Sequence, residues 1–343
     1  MHILVVNDDG PPSQKCSPYL YPFVKTLQDA GHLVSVVIPD SSRSWIGKAH
    51  IIGETLKATY VSPEALLKDS SGSVQSNHAS NDLGSGGLQK RNGASSAQPD
   101  TSTPDSTRDC GTGHPWVLVA NGTPAACTQL GIYCLFPERP PVDLVVSGPN
   151  HGRNASTIYT LASGTVGGAL EAVTCGKKSI ALSFASKEKQ PVEIIQAAAR
   201  LSVKLIEHIA SHWPAEGVEL YNINVPMRLD VEDRPIVYTR TLPNTWSKCS
   251  LYGEVDARTI EPDNNDVGDK DRHEGSAPTE RGGQQEPRTR HFKWAPELSD
   301  IQRSVECSQV GTDAYTVMNG CISVTPLMAN FSHASGFGGE LKL

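Results

Sequence analysis

Residues 1–10 read MHILVVNDDG. Within them Ile3–Val6 is an unbroken run of β-branched and leucine side chains, the composition of a central strand covered on both faces. The run stops at two adjacent carboxylates, Asp8 and Asp9. Such a pair repels itself, and a chain can hold it at a strand end only where a cation or a set of donors compensates the charge. Asp-Asp-Gly is also an ordinary turn sequence, so the rest of the chain has to decide between the two.

Working outward, Ser17-Pro18 has the form of a helix N-cap followed by proline at the first helical position. Leu20, Phe23, Val24 and Leu27 recur at helical spacing, and Gly31 ends the helix. LVSVVIP (33–39) is a second strand, and a β-α-β unit with short connections sets up a parallel sheet. Further strands are expected at 116–120, 143–147, 179–184 and 219–225. Helices are expected from Pro124, capped by Thr123, over Ser163–Gly176, and over Val192–Trp213, where Ile195, Ala199, Val203, Ile206 and Ala210 share a face. This alternation predicts an α/β fold, a doubly wound, mostly parallel Rossmann-like sheet. GCISVTPL (320–327) is expected in a small C-terminal β appendage. Two stretches, 68–114 and 256–290, are nearly devoid of apolar residues and are expected to be disordered insertions. Without them about 260 residues remain, enough for one α/β domain plus an appendage.

The net charge of −7 and pI near 5.9 argue against a nucleic-acid duplex as partner. No run approaches the roughly 18 apolar residues of a membrane span. The first apolar run is short and ends in acids, unlike a secretory leader, so a cytoplasmic protein is expected. The eight cysteines show no CxxC or CxxH spacing and read as free thiols.

In an open parallel sheet, ligands bind beyond the carboxyl ends of the strands. Polar loops fall at five such ends: Asp8-Asp9, Ser41–Ser44, Asn121–Thr123, Ser147–Asn154 and Asn222–Asn224. Two carboxylates with neutral oxygens from Asn150 and a serine suit Mg²⁺, Mn²⁺ or Ca²⁺ and are too hard a set for zinc or copper. Ser163-Gly164-Thr165 opens a helix, so its free amides and hydroxyls are placed to cradle a phosphate, although plain N-capping explains a serine there as well. His151 is a candidate proton donor, and a lone loop histidine is also commonly just solvated. A P-loop, a G-x-G-x-x-G after the first strand and a G-x-S-x-G elbow are all absent.

Taken in order, NDDG (7–10), PD-x-x-RS (39–44), GTP-x-x-C (122–127), SG-x-N-x-G-x-N (147–154), SGTVGGALE (163–171), NINVP (222–226) and GTD (311–313) resemble the SurE family of metal-dependent nucleotidases and acid phosphatases. Three places depart from that pattern: Trp45 stands where a glycine is usual, Ala126 replaces an acid, and the 154–163 loop is one residue longer than in many bacterial members. The resemblance implies a single SurE-like domain over 1–343, with an α/β core at 1–230 and a β-rich appendage at 231–343. It also implies one divalent ion held by Asp8, Asp9, Ser44 and Asn150, with phosphate contacts from Asn154, Ser163, Gly164 and Thr165. Asp8 and Asp9 would be the catalytic carboxylates, the substrate a small phosphomonoester or nucleotide, and the assembly a homodimer or higher homo-oligomer. The alternative is a non-catalytic nucleotide- or sugar-phosphate-binding module on the same fold; a glycosyltransferase-like fold would require a nucleotide-sugar.

Overall fold

Strand β1 (His2–Val6) is buried along its whole length. Its side chains alternate between two apolar layers, with Ile3 and Val5 in one and Leu4 and Val6 in the other. In this computed structural model the described residues are 1–71, 115–246, 251–256 and 289–330. The bulk of both expected insertions, 72–114 and 257–288, lies outside them.

The other elements follow in chain order. They begin with α1 (Leu20–Asp29), β2 (Leu33–Pro39), β3 (Lys57–Val61), α2 (Pro63–Ser71), β4 (Trp116–Ala120) and α3 (Pro124–Tyr133). Next come β5 (Leu144–His151), α4 (Thr157–Ala162), α5 (Gly164–Thr174), β6 (Lys178–Phe184), α6 (Val192–Ser211) and β7 (Leu220–Val225). The last are β8 (Ile236–Tyr238), β9 (Tyr252–Val255), β10 (His291–Trp294), α7 (Ser299–Glu306), α8 (Asp313–Met318) and β11 (Ile322–Leu327). The chain divides into two units, Met1–Leu242 with Gln309–Leu343, and Pro243–Ser308.

In the first unit the strands form one sheet in the order β3-β4-β2-β1-β5-β6-β7-β11-β8. From β4 to β7 every neighbouring pair is parallel, β3 is antiparallel to β4, and β11 is antiparallel to β7. Helices α1 and α6 pack together over one face, and α3 and α5 over the other. The doubly wound, mostly parallel sheet is therefore as expected. All six expected strands are present, and the helices opened by Thr123 and Ser163 carry the predicted caps, Thr123 accepting from Ala126 N and Ser163 from Val166 N. The six cysteines within the described residues are free.

Four expectations are corrected. Ser17 does not cap α1: the N-cap is Tyr19, and the Ser17 hydroxyl instead accepts from Asn7 Nδ2 at 3.3 Å. Strand β5 does not end at Ser147 but runs through the polar residues to His151, because its irregular step against β6 between Ser147 and Asn150 lets it keep pairing. GCISVTPL is not part of an appendage; Ile322 and Val324 enter the main core, and β11 pairs along β7 and β8. The expected small β appendage is present as the antiparallel β9–β10 hairpin of the second unit. Residues 68–71, expected inside the first insertion, belong to helix α2.

The step in β5 depends on Gly148, which has φ of +124° and lies so close to β6 that a Cβ would stand 2.1 Å from the Leu182 carbonyl oxygen. Neither the dihedral nor the space admits a side chain. Gly148→Ala is expected to cost about 3 kcal/mol or more, read as a fall in thermal midpoint. A midpoint equal to that of the wild type would contradict this geometry.

Candidate active site

At the carboxyl end of β1 the chain must turn, and Asn7 shapes that turn. Its Nδ2 donates to Gly10 O at 2.8 Å and its Oδ1 accepts from Gly10 N at 3.2 Å. Gly10 has φ of +80° and packs against the Ser41 backbone, where only glycine fits. Asp8 and Asp9 thus occupy a turn, as their sequence allows, but one buried in the molecule. Asp8 is 3% and Asp9 4% exposed.

Donors converge on both carboxylates. The Thr165 hydroxyl donates to Asp8 Oδ1 at 2.5 Å, and the Thr165 amide in the first turn of α5 also donates to Asp8. His151 N donates to Asp9 Oδ2 at 2.6 Å. Gly164 lies so close to Asp8 that a Cβ would stand 2.7 Å from the Asp8 Cβ. The positive end of α5 is therefore spent on a carboxylate of the protein itself. Even so, burial pushes both carboxyls above their ordinary range, and the charge of Asp8 pushes Asp9 further. The charge of Lys187 offsets this only in part.

Asp8, Ser44, Asn150, Asn154 and Ser163 line one open cleft. Five of the expected site residues are thus brought together. Gly164 and Thr165, expected to contact phosphate, are buried behind Asp8, with Thr165 fully buried. Asp9 is likewise buried beside Asp8 rather than on the cleft wall. The Asn121–Thr123 loop does not reach the cleft either. Gly122 O accepts from Arg43 Nε at 3.1 Å and Thr123 Oγ1 donates to Ala49 O at 2.6 Å, so this loop braces the segment that carries Ser44.

That segment is held from several sides. Arg43 N donates to Asp8 O at 2.7 Å and Gly47 N to Ala162 O at 2.9 Å. Lys48 Nζ and His50 Nε2 lie 2.6 and 3.2 Å from Glu171 Oε2 on α5. Burial raises the Glu171 carboxyl, but hydrogen bonds from Lys48, Gln129 and His50 outweigh it and hold the group below its usual range. Asn154 is fixed by its backbone. Its N donates to Asn224 Oδ1 at 2.8 Å, its O accepts from Asn222 Nδ2 at 2.8 Å, and its Nδ2 donates to Ser183 Oγ at 2.9 Å. Asn222 and Asn224 therefore act through Asn154. His151 is not a solvated loop residue: it ends β5, its ring meets Tyr19 edge-on at 5.2 Å, and burial followed by the charge of Lys187 lowers its pKa.

The donor set fits a hard divalent cation. Among the described residues no group of three or more His, Cys, Asp or Glu side chains is placed to bind a metal. A cation here would rest on two carboxylates and the neutral oxygens of Ser44 and Asn150, whose Nδ2 is engaged by Gly152 O at 2.7 Å and leaves Oδ1 as the acceptor. Two under-compensated buried carboxylates are the feature such an ion would satisfy.

The family model for the survival protein SurE matches residues 3–248. The chain belongs to the SurE family. The crystal structure of the SurE protein from Aquifex aeolicus matches with a TM-score of 0.58 over 97% of this chain and 95% of that one, at 23% identity, which shows the shared fold. The 5'-nucleotidase SurE of Pelobacter propionicus is 27% identical, covering 95% of this chain and 93% of its own length. The probable tubulin–tyrosine ligase PBY1 of Saccharomyces cerevisiae is 30% identical across 100% of this chain, which spans only 43% of that protein.

Four cleft residues escape a reading of the sequence: Lys187, Arg153, Tyr159 and Ala162. Lys187 lies three residues beyond the end of β6, so the rule that ligands bind past strand ends points to it. Tyr159 belongs to α4, a helix of six residues whose periodicity is too short to recognise.

Helix α5 touches the Ser44 segment through Gly167, where a Cβ would stand 2.2 Å from Gly47 O. In an isolated helix Gly→Ala stabilises by about 1 kcal/mol. Here Gly167→Ala is expected to lower the thermal midpoint, and a raised midpoint would show that this contact is not present.

Proposed function

We propose that this SurE-family chain hydrolyses small phosphomonoesters, nucleotides among them, as a metal-dependent nucleotidase or acid phosphatase. The observation that carries the reading is the buried Asp8-Asp9 pair at the end of a central parallel strand, with Asp8 lining the same cleft as Ser44, Asn150, Asn154 and Ser163. The names of the 5'-nucleotidase relatives support it. The ligase name of the yeast relative is not carried over, because this chain spans less than half of that protein.

Asp8, Asp9, Ser44 and Asn150 would hold one Mg²⁺ or Mn²⁺ ion. When bound, such an ion supplies Lewis acidity toward a phosphoryl oxygen and a more acidic water. The chain's own groups do the rest. Lys187 and Arg153 on the cleft wall attract a dianionic ester. Ser163 accepts from Val166 N at 3.1 Å, which leaves its hydroxyl proton to donate to a phosphoryl oxygen. The Asn154 amide, locked by Ser183, Asn222 and Asn224, contributes a donor that needs no reorganisation as charge develops on the phosphoryl group. Asp8, on the cleft wall, would orient the attacking water and accept its proton once ionised, and Asp9, buried beside it, would add its charge to the pair.

Hydrolysis of p-nitrophenyl phosphate should stop in EDTA and recover on addition of Mn²⁺ or Mg²⁺. Asp8→Asn should reduce it by about 100-fold or more while circular dichroism shows an intact fold. Full activity of Asp8→Asn, or turnover that ignores chelation, would rule the reading out.

A further inference from the structure

Trp45 follows the Ser44 oxygen directly and holds a φ of +66°. That left-handed backbone is costly for a bulky side chain, and such strain persists only where the surroundings enforce it. In this conformation the indole meets the Tyr159 ring of α4, with centroids 5.8 Å apart and planes at 60°. Both rings line the cleft that Asp8, Asn154 and Ser163 share. Arg153 lies on the same wall, and its buried Nε has no hydrogen-bond partner among the described residues. A polar cleft built for an anion thus carries two aromatic rings and an N–H that awaits an acceptor.

We propose that Trp45 and Tyr159 form a stacking platform for the non-phosphate part of the substrate, so that the cleft selects nucleoside monophosphates over phosphate esters of bare sugars. The proposal rests on the hydrolase reading of the same cleft. With the phosphate against Ser163 and Asn154, a planar base has aromatic surface to lie on, and the Arg153 side chain borders the same space. Stacking is tolerant of base identity because every base has a π-face, so the platform discriminates base from no base rather than one base from another. Glycine at position 45 would remove both the platform and the backbone strain.

The experiment compares adenosine 5'-monophosphate with ribose 5-phosphate, which share the phosphate and the sugar. Trp45→Gly suits the positive φ, and Tyr159→Leu keeps bulk without a ring. The ratio of kcat/KM for the nucleotide over the sugar phosphate, measured with Mn²⁺, should fall by about five- to hundred-fold in each variant, mainly through KM. Variants that merely loosen the Ser44 segment would lower both substrates together and keep the ratio. A ratio unchanged in both variants overturns the platform and leaves the hydrolase reading standing. Intrinsic fluorescence gives a readout independent of turnover. Adenosine 5'-monophosphate should quench the wild-type signal, ribose 5-phosphate should not, and the quenching should vanish in Trp45→Gly. If the wild type turns over neither ester, the hydrolase reading fails and this binding signal still decides: selective quenching lost in Trp45→Gly supports the platform, and equal or absent quenching overturns it.

Discussion

Asp8 lies where a strand buried on both faces runs out, with Asp9 next to it and little water near either. Charge in such a place is expensive, and the surrounding structure is arranged around that cost. The first turn of α5 gives Asp8 a hydroxyl and an amide from Thr165, and the end of β5 gives Asp9 the amide of His151. These donors do not suffice, since both carboxyls remain above their ordinary range. The shortfall is what the proposed cation would make good: a fully satisfied pair would be a structural turn.

The sheet explains how the other groups arrive. Strands β1, β5, β6 and β7 are parallel neighbours, so their carboxyl ends open on one edge. Asp8, Asn150, Ser183 and Asn224 come from those ends, and Lys187 from the loop just beyond β6. The Ser44 segment crosses this edge pinned to Asp8 O, Ala162 O and Glu171. Its approach to α5 is close enough that Gly167 cannot carry a side chain, and α5 in turn presses Gly164 against Asp8. The proposed cation ligands, phosphate donors and aromatic wall are therefore coupled through one helix terminus.

Much of this was legible in the sequence, and the failures have physical reasons. The continuous apolar runs gave the parallel core strands because burial on both faces leaves little choice of composition. The caps at Thr123 and Ser163 were readable because their hydroxyls serve local amides. Ser17 misled because its hydroxyl is taken by Asn7, ten residues away in sequence. Thr165 and Gly164 were expected on phosphate because the N-terminus of a helix favours any anion, and local sequence does not say which anion is nearest. β11 was misplaced because a short alternating strand carries no mark of the sheet it joins. Ser44 was distinguishable from its neighbouring serines only through the family resemblance, and the structure places it on the same cleft as Asp8.

The central claim is that the Asp8-Asp9 pair is completed by one divalent cation. Isothermal titration of Mn²⁺ into chelator-stripped protein near neutral pH tests it most directly. One ion should bind per chain, with net proton release, because carboxyls raised by burial, and Asp9 further by the charge of Asp8, must give up protons to the metal. The binding should be lost in Asp8→Asn. Absence of saturable binding in the wild type, or unchanged binding in Asp8→Asn, would contradict the account.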